Sequence, residues 1–345
     1  MTGANSMNLE RIARLAGVSR STVSRVINGY PHVREEIRSR VLAVIEREGF
    51  QANAAARMLA RQRTDVIGVV EPEGLGSVFS KGYFNLLFEG ISMGINPTDY
   101  AMSLWIGSTP EETERINKRI LGYKMMDGVL IISSMTGETL AQRLVERKMP
   151  VVMIGNSSTP GVLTIDIDNI AAARMATNHL VRLGRQRIAH ITGRTSLISA
   201  RERLTGYREA IETTRQGFDP ALVIEADYSP DAGYWATRQL ISTGIDAIFA
   251  GSDLIGIGAI RALHEQQIAI PGDVAVVGFD DLPAAATLKP SLTTVRQPIR
   301  ELGRLAVQSL IDLIDGRITA AHRVILPTEL IVRESCGALN HLNHG

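Results

Sequence analysis

Residues 9–50 read LERIARLAGVSRSTVSRVINGYPHVREEIRSRVLAVIEREGF, and their spacing predicts three short helices. Leu9, Ile12, Ala13 and Ala16 recur at i, i+3, i+4 and i+7, one face of a helix that Gly17 ends. Ser19 stands where a second helix needs an N-cap, because its hydroxyl can accept a bond from a free first-turn N–H. In that helix Val23, Val26 and Ile27 share one side. At about 100° per residue, Ser21, Ser24, Arg25 and Asn28 project from the other, with Arg20 at its edge. Asn28-Gly29 closes the helix and Pro31 follows as a stop. A third helix starts near Arg34, carries Ile37, Val41, Val44 and Ile45 as its apolar stripe, and is closed by Gly49. Two helices joined by a tight glycine turn, with a third packed behind, make a helix-turn-helix.

The second helix carries the side chains that groove chemistry needs. A major groove admits an α-helix, and an arginine there can take O6 and N7 of guanine together. Arg20 and Arg25 are the candidates, and Ser21 is short enough to let the backbone approach a base edge. Ser19, Thr22, Ser24 and Asn28 suit phosphate oxygens, which set register without carrying sequence information. A small solvated helical bundle with a few surface arginines is the plainer alternative. Charge favours the DNA reading. Residues 1–65 hold eleven Arg, no Lys and six acids, a net +5, while the whole chain is +1, so the remainder carries −4. A basic head on an acidic body places the phosphate attraction in the head alone.

Three stretches then point to a family: Ile12-Ala13-Arg14-Leu15-Ala16-Gly17-Val18-Ser19, Thr22-Val23-Ser24-Arg25-Val26-Ile27-Asn28 and Asn53-Ala54-Ala55-Ala56-Arg57. Together they closely resemble the lactose/galactose-repressor (LacI/GalR) family of bacterial transcription regulators. The resemblance implies base-reading positions at Arg20, Ser21 and Arg25. It implies a hinge helix at residues 53–60, with Asn53, Ala56, Arg57 and Leu59 meeting the minor groove and Leu59 wedged into the central base step. An apolar wedge unstacks a step and kinks the duplex. Relatives often have Pro before the hinge Asn, where it presets the helix start; this chain has Ala52. A flexible linker is the alternative for this segment, and a linker that folds on DNA satisfies both readings.

The rest of the chain alternates short apolar runs, from Val66–Val70 to Val274–Phe279, with helical stretches, from Tyr83–Met93 to Arg300–Leu313. Such alternation predicts parallel, doubly wound sheets, and runs apolar at both parities suit sheets covered on both faces. The family resemblance continues through Arg203-Leu204-Thr205-Gly206-Tyr207, Val276-Val277-Gly278-Phe279-Asp280-Asp281 and Leu292-Thr293-Thr294-Val295-Arg296-Gln297. It implies a body like the periplasmic binding proteins. The expected organisation is an all-α helix-turn-helix head over 8–52, a hinge and linker over 53–65, and an α/β body over 66–335. Its lobes would comprise 66–165 with 295–325, and 166–294 with 326–335.

A small ligand would occupy the cleft between the lobes, at the carboxyl ends of the strands. Arg203 matches the family's cleft arginine and offers a planar fork of donors. Asp280 follows an apolar strand and could accept from two sugar hydroxyls. Tyr228 matches a position that stacks on a ligand ring, and Asn156, Ser252 and Asp253 also follow strand runs. Tyr83 and Phe84 align as wall aromatics, although residues 71–82 depart from the family pattern and give no basis for transferring a particular ligand. Arg203 and Asp280 could instead pair with each other across the lobes, and Asp253 or Asp281 could be a helix cap. A sugar is the favoured effector, and a purine or nucleoside the alternative.

Other classes find little support. The only cysteine, Cys336, allows no intrachain disulfide or zinc cluster, and the seven histidines show no metal spacing. No cofactor, metal or catalytic residue is expected. The rival from another class is a sugar-binding transport receptor. Its export would need a basic start and an apolar run, a pattern missing from MTGANSMNLERIARLAG. The expected protein is therefore cytoplasmic, a homodimer with no membrane partner, whose heads read a near-palindromic operator.

Overall fold

The computed structural model describes residues 9–27, 30, 32–50, 63–71, 82–122, 125–132, 135–137, 139–157, 159–319 and 322–339. The chain divides at Asp65 into a head and a body. In the head, α1 (Leu9–Ala16), α2 (Arg20–Ile27) and α3 (Glu35–Arg47) close over Ile12, Ala13, Ala16, Val23, Val26, Val41 and Val44. The helix-period stripes thus converge on one small core. Gly17, at φ +64°, makes the turn between α1 and α2. The Ser19 hydroxyl accepts the Thr22 N–H at 3.1 Å, which caps α2. Asn28 and the hinge candidates Asn53, Ala56, Arg57 and Leu59 lie outside the described residues.

The body starts with β1 (Val66–Glu71), α4 (Gly82–Ile95), β2 (Ala101–Ile106), α5 (Pro110–Gly122), β3 (Gly128–Ile132), α6 (Leu140–Glu146), β4 (Val151–Ile154) and β5 (Leu163–Ile167). It continues with α7 (Asn169–Arg182), β6 (Ile188–Thr192), α8 (Ile198–Glu212), β7 (Val223–Glu225), α9 (Pro230–Ile241), β8 (Ala247–Ala250), α10 (Asp253–Glu265), β9 (Ala275–Asp280) and α11 (Pro283–Thr287). The last elements are β10 (Thr293–Arg296), α12 (Ile299–Ile314), β11 (Arg323–Leu326) and β12 (Glu329–Ile331).

The strands form two six-stranded sheets, ordered β11-β5-β4-β3-β1-β2 and β12-β10-β9-β8-β6-β7. The two lobes therefore repeat one topology. All pairs are parallel except β10 with β12. β3, β4, β6, β8 and β9 are buried along their whole length, as helices on both faces require.

The chain crosses between lobes after β5, after β10 and after β11. The ladders hold as far as Ile167, Arg296 and Leu326, so the crossings fall one or two residues beyond the expected boundaries at 165, 295 and 325. The apolar pattern misses all three of these strands. Thr164, Asp166, Thr293 and Thr294 are buried polar residues that interrupt β5 and β10, and β11 alternates exposed and half-buried positions as an edge strand does. Helix periodicity over Gly206–Arg215 marks only the later part of α8, which starts at Ile198, because Arg201, Glu202 and Arg203 break the apolar pattern of its first turns.

The second crossing returns α12 to the first lobe, where it packs on α4 at very short range. A Cβ on Gly90 would run into the Arg300 carbonyl, and one on Gly303 into the Leu87 carbonyl. Close-packed backbones of this kind accept no methyl without moving. Gly90→Ala should therefore destabilise the body by about 1–3 kcal/mol, measured by denaturant unfolding. Wild-type stability would show that the two helices can separate.

His190 lies in the core of the second lobe, fully buried. Its ring stacks 4.6 Å from Phe249 and 5.0 Å from Tyr207, and Nδ1 meets the Phe249 carbonyl at 2.9 Å. Burial pushes its pKa down to about 4, opposed by the Phe249 bond and reinforced by the Arg203 charge. An unfolded chain would protonate this imidazole near its ordinary 6.5. The unfolded state thus binds the extra proton between pH 6.5 and 4, and wild-type stability falls across that window. His190→Phe should gain, relative to wild type, on the order of 3 kcal/mol between those pH values. Parallel pH–stability curves for the two proteins would refute the assignment.

Candidate functional site

A cavity of about 820 Å³, including its open mouth, lies where the carboxyl ends of both sheets face each other. This is where strand order reverses in open α/β sheets and where backbone groups are left free for a ligand. The first lobe supplies Tyr83 and Phe84 from the first turn of α4, Ile154 to Asn156 at the end of β4, and Asp166 from β5. The second lobe supplies Arg203 from α8, Tyr228 after β7, Ser252 before α10 and Asp280 at the end of β9. Asn169 and Gln297 line the floor at the first and second crossings.

Arg203 and Asp280 lie in the same lobe, so they do not pair across the cleft. Arg203 Nη1 is 4.0 Å from Asp280 Oδ1 and donates to the Gly251 carbonyl at 2.7 Å. Nε donates to Asn169 Oδ1 at 3.0 Å, and the guanidinium plane rests 3.7 Å over the Phe279 ring. Gln297 Nε2 donates to Asp280 Oδ1 at 2.6 Å. A buried charge needs such neighbours, since its desolvation otherwise exceeds the Coulomb gain. Burial still pushes Asp280 up to about 6, against the pull of Arg203 and Gln297. Asp166 rises to about 6 as well, chiefly from burial; the Ile167 N–H opposes this and the Glu202 charge adds to it.

Asp280 and Asp281 have φ of +121° and +57°, conformations that cost non-glycine residues about 1–3 kcal/mol each. Two sets of bonds hold them. The Asp281 carboxylate pairs with Arg296 at 2.7 Å and Arg333 at 2.6 Å, so it is not a helix cap. Asp253 accepts the Leu282 N–H at 2.7 Å and the Thr294 hydroxyl at 2.5 Å. Asp253 is therefore corrected as a site residue: it is fully buried behind the turn and does not line the cavity. Its pKa is pushed well up by burial, then by the Asp280 charge. The cap of α10 is its neighbour Ser252, whose hydroxyl accepts the Ile255 N–H at 3.3 Å.

Of the other sequence candidates, Arg203, Asp280, Tyr228, Asn156, Ser252, Tyr83 and Phe84 are gathered in one cavity. Sequence reasoning missed Asp166, Asn169, Ser199 and Gln297. Asn169 and Gln297 could have been found from their place beside the expected crossings, but Asp166 is concealed in an ordinary strand pattern. Donors and acceptors here alternate around aromatic and aliphatic walls. That arrangement suits a ligand with ring faces and several hydroxyls.

In the head, Arg20, Ser21 and Arg25 are exposed on α2 opposite the buried Val23 and Val26, while Thr22 and Ser24 are half-buried. The Ser19 hydroxyl is engaged by its cap bond and lies 2.8 Å from both Ser21 Oγ and Thr22 Oγ1. Arg20 lies 3.6 Å from Glu10, with both side chains mostly solvated, a pair that phosphate or base contacts can replace at little cost.

Comparison with known proteins agrees with this layout. Residues 8–53 match the bacterial regulatory proteins of the lacI family, and residues 177–336 match the periplasmic binding protein-like domain. The HTH-type transcriptional regulator CelR of Thermobifida fusca is 38% identical over 332 residues, covering 95% of this chain and 97% of the relative. A structure of a transcriptional regulator CelR–cellobiose complex aligns with a TM-score of 0.75 at 36% identity, covering 95% of this chain and 99% of the other. The lac repressor dimer bound to operator and the anti-inducer ONPF aligns with a TM-score of 0.80 at 28% identity, covering 96% and 99%. Head, body and their order along the chain match throughout, and the chain belongs to the LacI family of bacterial transcriptional regulators.

Proposed function

We propose that this chain represses carbohydrate-utilisation genes as a cytoplasmic homodimer on a near-palindromic operator, with an uncharged sugar in the interlobe cleft setting operator affinity. The observation that carries this reading is the cleft itself. Arg203, Asp280, Asn156 and Gln297 surround one cavity whose walls are Tyr83, Phe84 and Tyr228. Fixed donors and acceptors recognise hydroxyls, and aromatic faces cover the C–H faces of sugar rings. Cellobiose, the sugar in the CelR complex, is the first ligand to test.

In the head, Arg20, Ser21 and Arg25 are assigned to base edges, and Ser19, Thr22, Ser24 and Asn28 to phosphates. Asn53, Ala56, Arg57 and Leu59 are assigned to the minor groove, with Leu59 as the wedge. For the dimer, α4 and the edge strand β2 offer an apolar face in which Met93, Met102 and Leu104 are 54%, 45% and 38% exposed. An exposed cluster of this kind is typical of a protein interface.

Selection from random DNA should enrich a near-palindromic site, and a pool without sequence preference would refute the operator reading. On the selected site, Arg25→Ala should lose roughly tenfold or more in discrimination at its base pair while keeping weak, salt-sensitive binding. Unchanged discrimination would remove Arg25 from the base-reading set. Sugar titration should change the affinity of the wild-type complex. Arg203→Ala should weaken sugar binding by roughly 100-fold through the loss of charged donors, as measured by calorimetry. A full sugar response in that variant would place the effector elsewhere.

A further inference from the structure

Glu202 does not line the cavity, yet it holds two residues that do. Its Oε1 accepts Asn156 Nδ2 at 2.6 Å, and its Oε2 accepts Asn169 Nδ2 at 3.3 Å. Asn156 follows β4 in the first lobe, whereas Glu202 is on α8 of the second, so the shorter bond spans the cleft. The orientation of the Asn156 amide follows from chemistry, since a carboxylate accepts and only the NH₂ end of the amide can donate to it. That leaves Asn156 Oδ1 for the cavity.

The bond is part of a longer chain. Gln297 donates to Asp280, Asp280 lies beside Arg203, Arg203 donates to Asn169, and Asn169 and Asn156 both donate to Glu202. Gln297 and Asn169 sit at two interlobe crossings, so one polar network joins those crossings to the opposite wall. A second interlobe contact stands on the same rim, where the Thr136 N–H donates to the Ser196 carbonyl at 2.8 Å and Met135 bridges Leu197.

We propose that Glu202 is a positioning residue for cleft closure: by pinning Asn156 to the polar chain of the second lobe, it sets the closed-to-open ratio of the sugar-free body. The inference rests on the cleft being the effector site, but its test needs no sugar and so stands or falls separately from that reading.

Amide hydrogen exchange on the full chain reads the ratio directly. The Thr136 amide is bonded across the cleft and exchanges when the lobes part, while the Val129 amide, bonded to the Pro150 carbonyl at 2.9 Å within the first lobe, reports the integrity of that lobe. Glu202→Ala should accelerate Thr136 exchange roughly tenfold by removing a charge-assisted bond and leave Val129 unchanged. Asn156→Ala should give the same acceleration, and the double variant should be no faster than either single one, since all three lack the same bond. Glu202→Gln keeps an acceptor oxygen for Asn156 and should be intermediate. A merely structural role for Glu202 would move both amides together. Wild-type exchange at Thr136 in either single variant with Val129 still protected, or additive effects in the double variant, would overturn the proposal. If Glu202→Ala exposes Val129 as well, Asn156→Ala decides by the same criterion.

Discussion

The body is organised around a buried carboxylate, Asp280, held 4.0 Å from the Arg203 guanidinium. Neither charge is stable alone in a cleft of low dielectric, and together they need every available hydrogen bond to offset desolvation. Gln297, Asn169 and the Gly251 carbonyl provide those bonds. The strain at Asp280 and Asp281 is held in place by Asp253, Arg296 and Arg333. Gly278 is glycine for the same reason, since a Cβ there would strike the Asp253 carboxylate. A row of residues that would otherwise be unremarkable thus exists to present one oxygen pair to the cavity.

Head and body solve different electrostatic problems. The head keeps its charges solvated and carries them on arginines, whose attraction to phosphate is long-ranged and screened by salt. The cleft of the body buries Asp166, Arg203 and Asp280, where each charge is costly and must be matched locally. The −4 carried by the rest of the chain is why a protein of net charge +1 can still hold a +5 head. Among the described lining residues the cation Arg203 already has partners, and the acids Asp166 and Asp280 are both shifted upward by burial, which is consistent with the proposed uncharged ligand.

How much of this was legible in sequence depended on the kind of signal. The stripes Ile12–Ala16, Val23–Ile27 and Val41–Ile45 mark the head because a helix buries residues at a period that the eye can follow. Fully buried strands such as β3 and β9 show as apolar runs. The crossing strands β5 and β10 do not show, because the buried polar residues Thr164, Asp166, Thr293 and Thr294 interrupt their apolar runs. In the cleft, Arg203 and Asp280 were visible as charged residues beside apolar runs. Asp166 looks like any other polar residue of a strand, Asn169 is marked only by its place beside a crossing, and the position of Asp253 after a strand suggests a cleft contact that it does not make. Only the strained turn shows that its carboxylate faces backward, to the Leu282 amide.

The sequence by itself determined the class of protein: a basic helix-turn-helix head, an alternating α/β body, and two charged residues suited to a ligand. Local periodicity and charge decide those properties, and both are written along the chain. Tertiary structure alone decided which side chains share the cavity, how closely Arg203 approaches Asp280, and that Glu202 reaches across to Asn156. The physical reason is that these groups are 46 and 77 residues apart in the chain for the pairs Asn156–Glu202 and Arg203–Asp280. Their contact depends on where three crossings place the lobes, and hydrogen bonds act only over a few ångströms, so no local pattern can encode them.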